Sequence, residues 1–267
     1  MTALVDDPED PRLADYVDLT DPDVRRRVEG DRGFFIAESP LVVRRLLASG
    51  RPLRSVLVTP RQRAAMADVL AGLAVPVYVA GPEVLRRVVG FDLHRGAVAS
   101  AARWALPAYA DVLRGARRVV VLEKVNDHEN LGLIFRSAAA LGADAVLLDR
   151  ECSDPLYRRS VRVSIGAVLT LPWTRVDTVA EVLDEGFEGI AFTPDENAVA
   201  VDTLEWPHRC ALLFGPEGPG LSRTWLDSAR QRARIPMSAG MDSLNVATAV
   251  AIGLYASRSV TPPASRS

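Results

Sequence analysis

The sequence predicts an α/β protein made of two successive α/β domains, the second with a mostly parallel sheet. Short apolar segments with strand character alternate with amphipathic segments of helical spacing along most of the chain. The 267 residues also exceed the roughly 150 that a single domain usually takes. Hydrophobic residues make up 48% and charged residues 25%, values typical of globular proteins that exclude a largely disordered or fibrous chain.

An acidic segment, residues 1–33, precedes the first domain. It is rich in turn formers such as Asp10-Pro11, so we expect an arm rather than part of a core. The first domain is predicted over residues 34–106, where Ser39-Pro40 starts a helix with Ser39 as its N-cap and Gly50 ends it. The elements that follow are a strand over 56–59, a helix over 61–73, a strand over 75–79, a helix over 82–88 and a strand over 96–101. His94 stands alone and is interpreted as a surface loop residue.

The second domain is predicted over residues 107–258, and the candidate linker, residues 105–115 with Pro107, lies at its start. Its strands and helices alternate in the manner of a parallel sheet covered on both faces. The predicted strands cover 119–122, 145–148, 168–171, 189–192, 211–214 and 234–237. The predicted helices cover 131–141, 156–164, 179–185, 223–229 and 243–257. Residues 259–267, with two prolines and scattered serines, are expected to form a disordered tail.

Cysteine content and hydrophobic run length restrict the class of protein. No apolar run reaches the about 18 residues that a membrane-spanning helix needs, and the N-terminus is acidic where a signal peptide would be basic. Cys152 and Cys210 have neither metal-binding nor redox spacing. We therefore expect a reduced, cytoplasmic protein with no metal and no membrane association.

The charge distribution permits a nucleic-acid partner without indicating one. The net charge is −2, but residues 1–31 hold ten acidic residues against four arginines, so the rest of the chain carries +4. Lys124 is the only lysine among 32 basic residues. Arginine suits phosphates and base edges, although a genome rich in G and C would give the same composition.

Three polar, glycine-containing segments follow predicted strands: residues 123–136, 215–222 and 238–245. In parallel α/β sheets, ligands bind beyond the carboxyl ends of the strands. If the second domain has a single site, these segments are expected to form it.

The segment over residues 215–222 resembles two nucleotide-binding loops but matches neither. Gly215, Gly220 and Ser222 are in register with a phosphate-binding P-loop, but Leu221 replaces its lysine and two prolines remove amide donors. The glycine order also differs from that of a dinucleotide-binding fingerprint. A kinase or a nucleotide-dependent oxidoreductase is therefore excluded, and the rigid loop suits a flat, partly apolar ligand such as an adenine nucleoside.

The other two segments contain polar residues that are open to two interpretations. Ser243 is predicted as the N-cap of the last helix. Asn245, in the first turn of that helix, is a poor helix former, so a site role is as reasonable as a structural one. Arg136 projects sideways from an otherwise apolar helix and would by itself be interpreted as a solvated edge.

Together, these segments carry the motifs of a known family, and the chain resembles the SpoU (TrmH-type) RNA 2′-O-ribose methyltransferases of the SPOUT superfamily. The first motif is represented by Asn130, Gly132, Arg136 and Ala138. The second is represented by Gly215, Glu217, Gly220 and Ser222. The third is represented by Ile235-Pro236-Met237 and Ser243-Leu244-Asn245-Val246. The chain departs from the family at His128-Glu129, where Asp127 is commonly followed by proline.

The resemblance implies a fold, a cofactor and a set of site residues. Family members bind S-adenosylmethionine in a C-terminal trefoil knot and form homodimers. The implied catalytic residues are Arg136, Asn130, Glu217, Ser243 and Asn245. The implied cofactor-binding residues are Leu213, Gly215, Ile235, Met237, Ser243 and Leu244. The first domain is similar to the small substrate-binding domain that many members carry.

The implied activity is methyl transfer to a ribose 2′-hydroxyl of RNA, with ribosomal RNA favoured over transfer RNA because of the separate first domain. A catalytically inactive RNA-binding protein of the same fold is the alternative, and the intact motif residues argue against it. Arg158, Arg159 and Arg162 lie at helical spacing and are candidate phosphate contacts, although a solvated helix face fits them equally well.

Overall fold

The computed structural model describes residues 2–20, 28–93, 96–238 and 240–260. Contacts divide the chain into two compact units. The first unit contains Met1–Trp104 and Leu156–Leu169, and the second contains Ala105–Pro155 and Thr170–Ser267. Part of the predicted arm (21–27), His94 and residues 261–267 of the predicted tail lie outside the described residues.

The first unit is built on a five-stranded mixed sheet of order β1-β4-β3-β5-β2. Strands β1, β4 and β3 are parallel, whereas β5 is antiparallel to both β3 and β2. The strands are β1 (Thr2–Leu4), β2 (Phe34–Glu38), β3 (Leu53–Val58), β4 (Val77–Val79) and β5 (Ala97–Ala102). The helices are α1 (Pro40–Ala48), α2 (Pro60–Ala65), α3 (Ala67–Leu70) and α4 (Pro82–Val89). The predicted helix over 61–73 is thus two short helices that meet at Met66.

The expectation of an arm outside the core is wrong for the described part of residues 1–33. Strand β1 pairs with β4, and a 3-10 helix follows over Pro11–Tyr16. Leu13, Tyr16 and Leu19 are buried in the core of the first unit, and the Tyr16 hydroxyl lies 2.6 Å from Ser55 Oγ. Their spacing of three residues places the apolar side chains on one side of the segment, whereas Asp18 is exposed and the half-buried Asp15 accepts hydrogen bonds from Ser100 Oγ at 2.6 Å and Arg54 Nε at 2.9 Å.

The second unit is built on a seven-stranded sheet of order β10-β12-β9-β11-β6-β7-β8, in which every pair is parallel. The predicted α/β fold with a mostly parallel sheet is confirmed. The strands are β6 (Arg118–Leu122), β7 (Ala145–Leu148), β8 (Trp173–Arg175), β9 (Glu188–Phe192), β10 (Val199–Ala200), β11 (Cys210–Phe214) and β12 (Gln231–Arg234). The helices are α5 (Tyr109–Leu113), α6 (His128–Ala140), α8 (Ala180–Leu183), α9 (Arg223–Ser228) and α10 (Val246–Ala256).

One segment of the predicted second domain belongs to the first unit. Helix α7 (Arg158–Val163) packs against β2, and the predicted strand over 168–171 is in fact a 3-10 helix, Ala167–Leu169. Short apolar runs fit a strand or a buried helical turn equally well by periodicity, which explains the wrong strand prediction.

The centre of the second sheet is apolar and gives the site a rigid base. All residues of β6 and β11 are buried, as expected for central parallel strands. Helix α6 packs against α10, and Gly253 of α10 lets this helix lie close to Phe192 of β9, because a Cβ there would lie 2.6 Å from Phe192 Cζ. Among the described residues, no helix is long and apolar enough to cross a membrane.

Candidate active site

The parallel arrangement brings the three polar segments to the same edge of the second sheet. Strand β6 ends at Leu122, β11 at Phe214 and β12 at Arg234, and each is followed by one of the segments. Because parallel strands all present their carboxyl ends to one edge, the segments meet there.

The first segment is fixed by a capped helix. The Asp127 carboxylate accepts a hydrogen bond from Asn130 N at 2.7 Å and thereby caps the N-terminus of α6. Asn130 consequently lies in the first turn, where it is 9% exposed and directed toward the other two segments. The proline that is usual after Asp127 is not needed for the helix to start here.

Asn130, Glu217 and Asn245 form a hydrogen-bonded group that we call the amide–carboxylate cluster. Asn130 Nδ2 donates to Glu217 Oε1 at 3.2 Å, and Asn245 Nδ2 donates to the same oxygen at 2.8 Å. Asn245 Nδ2 also lies 2.7 Å from Asn130 Oδ1, and Val246 N donates to Glu217 Oε1 at 3.4 Å. The cluster thus joins one residue from each of the three motifs, with the Glu217 carboxylate at its centre.

Asn245 also has a structural role, because it is the N-cap of α10. Its Oδ1 accepts hydrogen bonds from Ala247 N at 3.0 Å and Thr248 N at 3.2 Å. The prediction of Ser243 as the N-cap is therefore wrong, and the helix begins at Val246 rather than at residue 243. Asparagine caps helices as well as serine does, so both residues fit the sequence pattern and tertiary contacts select Asn245.

Residues 215–222 form a loop that doubles back on its own start, and we call it the glycine loop. A Cβ on Gly215 would lie 2.4 Å from the backbone atoms Gly220 C and Leu221 N, so only glycine allows the closure. Pro216 O accepts from Gly220 N at 3.1 Å within the loop. Ser222 ends it as the N-cap of α9.

A cavity opens between the glycine loop, the third segment and the carboxyl end of β9. Its lining residues are Phe192, Thr193, Pro194, Phe214, Gly215, Pro216, Glu217, Gly218, Gly220, Ile235, Met237, Ser243, Leu244, Val246 and Ala249. The rings of Phe192 and Phe214 are stacked with centroids 4.4 Å apart. The wall is therefore largely apolar, with Glu217 as its one charged lining residue.

The cavity includes five of the six predicted cofactor-binding residues: Gly215, Ile235, Met237, Ser243 and Leu244. The sixth prediction, Leu213, does not hold for its side chain, which packs in the apolar core of the second unit. Neighbouring residues of a strand face opposite sides of the sheet, so Phe214 reaches the cavity and Leu213 does not. Sequence reasoning missed Phe192, Thr193 and Pro194, whose signal would have been their position just at the end of a neighbouring strand.

Arg136 lies outside the amide–carboxylate cluster within one chain. It is six residues beyond Asn130 on α6, which is about 9 Å along the helix axis. Its side chain is exposed and has no hydrogen bond or ion pair with any described residue. Ser243 is likewise exposed, but it lines the cavity. The structure thus groups Asn130, Glu217, Ser243 and Asn245 and leaves Arg136 apart.

The predicted RNA-contacting arginines belong to the first unit, where Arg158 and Arg162 both lie close to the Glu38 carboxylate. The Arg158 guanidinium donates to the buried Glu38 carboxylate and, at 3.1 Å, to Leu19 O. It also lies over the Phe91 ring, 4.8 Å from the centroid. Arg158 is therefore a structural residue rather than a phosphate contact, because its donors are used inside the unit. Arg159 and Arg162 are exposed, although Arg162 Nη1 also lies 3.3 Å from Glu38 Oε1.

The two cysteines are not nucleophile candidates. Both are buried, and burial raises the pKa of the Cys210 thiol to about 12 and also raises the pKa of Cys152. The thiolate, which is the reactive form, is therefore strongly disfavoured at neutral pH.

The model of the SpoU rRNA methylase family matches residues 117–255, which include all three polar segments. A protein of Mycobacterium tuberculosis, described as an uncharacterized tRNA/rRNA methyltransferase, is 48% identical over 93% of this chain and 89% of its own length. The chain belongs to the SpoU rRNA methylase family. The resemblance seen in the three sequence motifs is thus confirmed, and the protein is a member of a family of RNA methyltransferases.

More distant similarities extend over most of the chain in sequence and in fold. The 23S rRNA (guanosine-2′-O-)-methyltransferase of Ralstonia nicotianae is 32% identical over 67% of this chain and 76% of its own length. An RNA 2′-O ribose methyltransferase structure matches with a TM-score of 0.75 and 26% identity, covering 96% of this chain and 98% of that one. The AdoMet-bound rRNA methyltransferase of Sinorhizobium meliloti matches with a TM-score of 0.82 and 24% identity over 97% and 98% of the two chains, which shows the shared fold.

Proposed function

We propose that this SpoU family member transfers a methyl group from S-adenosylmethionine to a ribose 2′-hydroxyl of RNA. The observation that carries the proposal is the convergence of Asn130, Glu217 and Asn245 beside the cavity. The motifs that imply this chemistry are far apart in the sequence, and the fold brings them to one place.

The lining of the cavity fits S-adenosylmethionine. The stacked Phe192 and Phe214 rings and the aliphatic wall offer apolar surface to an adenine ring, and the glycines of the loop leave backbone groups accessible. Glu217 accepts hydrogen bonds from neutral amide groups, and no arginine or lysine pairs with it among the described residues. Its charge therefore stays uncompensated at the cavity wall, where it favours a positively charged ligand.

When bound, S-adenosylmethionine supplies an already activated methyl group, so the protein's task is alignment and stabilisation of the attacking oxygen. The amide–carboxylate cluster holds the glycine loop and the start of α10 in place. Arg136 is assigned to the RNA phosphate next to the reacting ribose and to the developing alkoxide. A guanidinium keeps its proton below about pH 12, so Arg136 stabilises charge and does not act as the base.

We also propose a homodimer with the C-terminal part of the second unit at its interface. Three large apolar residues of this region are exposed: Met241 (61%), Leu244 (38%) and Tyr255 (59%). All three fall within a stretch of 15 residues, 241–255, and exposed apolar surface of this kind is typical of interaction sites. Arg136 does not reach the amide–carboxylate cluster of its own chain. In the proposed homodimer, Arg136 of one chain would instead lie close to the cavity of the other.

Ribosomal RNA is the proposed substrate, with transfer RNA as the alternative. A relative described as a 23S rRNA (guanosine-2′-O-)-methyltransferase supports this choice. The first unit is proposed to bind the RNA, with Arg159 and Arg162 as candidate phosphate contacts. We further propose that the second unit contains the trefoil knot and that the protein is located in the cytoplasm.

Incubation of the protein with methyl-labelled S-adenosylmethionine and bulk RNA tests the proposed activity. We expect label in the RNA fraction. Retention of RNA without transfer of label would instead support the alternative of an inactive RNA-binding protein. Mapping of the methylated position in RNA from cells with and without the gene would then identify the substrate.

A further inference from the structure

Glu123, the residue directly after β6, contacts both ends of the glycine loop. Its backbone N donates to Phe214 O at 2.9 Å, at the point where β11 passes into the loop. Its side-chain Oε2 accepts a hydrogen bond from Ser222 N at 2.7 Å, at the point where the loop passes into α9. One residue thus holds the two ends of an eight-residue segment together.

The position of Glu123 is unusual for a charged residue. It is 4% exposed, and carboxylates are rarely buried unless hydrogen-bonded partners stabilise them. The partner here is a backbone N–H rather than a basic side chain. A buried carboxylate that accepts from a backbone N–H fixes that backbone strongly, because a hydrogen bond to a charged group is stronger than one between neutral groups.

The backbone of the glycine loop is intrinsically adaptable, and one backbone hydrogen bond within it joins Gly220 N to Pro216 O at 3.1 Å. Its glycines Gly218 and Gly220 have positive φ angles of 85° and 69°, a conformation that glycine adopts readily but that it also leaves readily. Leu221 anchors the loop by packing in the apolar core. The Glu123 carboxylate adds a polar anchor at the next residue.

The loop in turn determines the shape of the cavity. Five of its residues line the cavity, and one of them, Glu217, is the centre of the amide–carboxylate cluster. Movement at Ser222 would therefore change both the cavity wall and the position of the Glu217 carboxylate.

We infer that Glu123 is a positioning residue that holds the glycine loop in the conformation that receives the cofactor. It acts through Ser222 and the loop backbone and is not among the cavity-lining residues. The inference rests on the proposed function, because it takes S-adenosylmethionine as the ligand of the cavity.

The test compares Glu123→Ala and Glu123→Gln with a control whose carboxylate binds the backbone at the other end of β6. Asp144→Ala is suitable, because the Asp144 carboxylate also accepts backbone N–H bonds, from Arg117 N at 2.8 Å and Arg118 N at 2.9 Å. These bonds lie at the opposite end of β6, about 16 Å from Glu123 for five strand residues. The control therefore removes the same kind of bond without touching the loop.

Two quantities are measured on the full-length protein. The first is hydrogen exchange of the peptide covering residues 215–222 without ligand, which reports local opening of the loop. The second is the Kd for S-adenosylmethionine by calorimetry. We expect Glu123→Ala to accelerate exchange of this peptide and to raise the Kd about 10-fold or more, the size expected when one hydrogen bond to a charged group is lost.

The conservative variant separates positioning from a general loss of structure. The neutral amide oxygen of Glu123→Gln can still accept from Ser222 N, although more weakly than the carboxylate, so we expect an exchange rate and a Kd between those of the wild type and Glu123→Ala and nearer to the wild type. Asp144→Ala is expected to leave both quantities unchanged. If Glu123→Ala does not fold, Glu123→Asp, which withdraws the acceptor by about 1.5 Å, takes its place with the same expected direction.

The possible outcomes distinguish this inference from the proposed function. If the wild type binds S-adenosylmethionine and Glu123→Ala binds it equally well, the inference is overturned and the proposed function stands. If Asp144→Ala weakens binding as much as Glu123→Ala does, the effect is one of stability and the inference is also overturned. If the wild type does not bind S-adenosylmethionine, both are overturned.

Discussion

Each unit of the molecule places a glutamate near the carboxyl end of a strand, but the two glutamates have different partners. Glu38, the last residue of β2, is buried and paired with the guanidinium groups of Arg158 and Arg162. Glu217, three residues past β11, is exposed at a cavity wall and accepts hydrogen bonds from amide groups. The first carboxylate is neutralised and the second is not.

This difference shows how partner choice separates a structural carboxylate from a candidate site carboxylate. A carboxylate that is paired with cations inside a unit helps to hold that unit together and does not attract a charged ligand. Neutral hydrogen-bond donors orient a carboxylate without cancelling its negative charge, so it can still attract a positively charged ligand. If this difference is functional, loss of the Glu38 carboxylate should change only the stability of the protein, whereas changes in the second unit should change cofactor binding or methyl transfer.

The largest effect on methyl transfer is expected at Arg136, which contacts neither Glu38 nor Glu217. Arg136→Ala is expected to lower methyl transfer by about 10²–10³-fold, the usual cost of losing a group that stabilises developing charge. The Kd for S-adenosylmethionine should not change, because the cavity does not include this residue. Single-turnover transfer and calorimetry measure the two quantities.

Arg114→Ala is the matched control for Arg136, because Arg114 is also an exposed arginine of the second unit and, within the described part of the chain, pairs only with Asp111. It lies before β6, at the opposite edge of the sheet. Undiminished transfer by Arg136→Ala would remove Arg136 from the mechanism, and equal losses in both variants would point to a general effect of surface charge.

Removal of the Glu38 carboxylate tests the structural group of the first unit. Glu38→Ala leaves Arg158 without its partner in a largely buried position, and breaking such a pair typically costs about 3 kcal/mol of unfolding free energy. The affinity for S-adenosylmethionine should stay unchanged. Denaturant unfolding measures the loss of stability, and calorimetry measures the Kd for S-adenosylmethionine. A large loss of affinity would contradict the assignment of Glu38 to stability alone.

Gly215→Ala tests the closure of the glycine loop. The new Cβ would lie 2.4 Å from backbone atoms of Gly220 and Leu221, so the loop must move. We expect at least about a 10-fold rise in the Kd for S-adenosylmethionine, equivalent to about 1.4 kcal/mol. Gly81→Ala is the control, since it has no atom within 4 Å of the new Cβ. An unchanged Kd for Gly215→Ala would show that the loop does not shape the ligand site.

The smallest effect is expected at the N-cap of α10. Asn245→Ala removes the acceptor of Ala247 N and Thr248 N and should cost about 1 kcal/mol of unfolding free energy. Asn245→Ser keeps a cap acceptor but removes the amide that donates to Glu217 Oε1 at 2.8 Å, so stability should largely recover while transfer does not. Recovery of both in Asn245→Ser would reduce Asn245 to a helix cap.

The arrangement of the site could be predicted from the sequence because it depends on strand direction. Alternation of strands and helices predicts a parallel sheet, and a parallel sheet places the segments after β6, β11 and β12 at one edge. The order of the strands is not encoded in periodicity, so the contribution of Phe192 at the end of β9 was missed. The same limitation explains Leu213, because the pattern of a buried strand does not say which face borders the cavity.

Local signals failed where tertiary contacts decide between equivalent choices. Ser243 and Asn245 are equally good N-caps, and the bonds of Asn245 to Asn130 and Glu217 select the second. The segment Leu156–Leu169 reads as part of the second domain because it is continuous with it, yet Arg158 binds Glu38 of the first unit. The apolar spacing of Leu13, Tyr16 and Leu19 was visible in the sequence but was outweighed by the acidic residues around it.

Analysis of nucleosides from RNA treated with the protein and labelled S-adenosylmethionine tests the central claim most directly. Complete digestion followed by mass spectrometry separates methyl groups on the ribose from those on the base. The account predicts label on a ribose 2′-oxygen with the wild type and almost none with Arg136→Ala. Label on a base, or equal ribose label from both proteins, would contradict it.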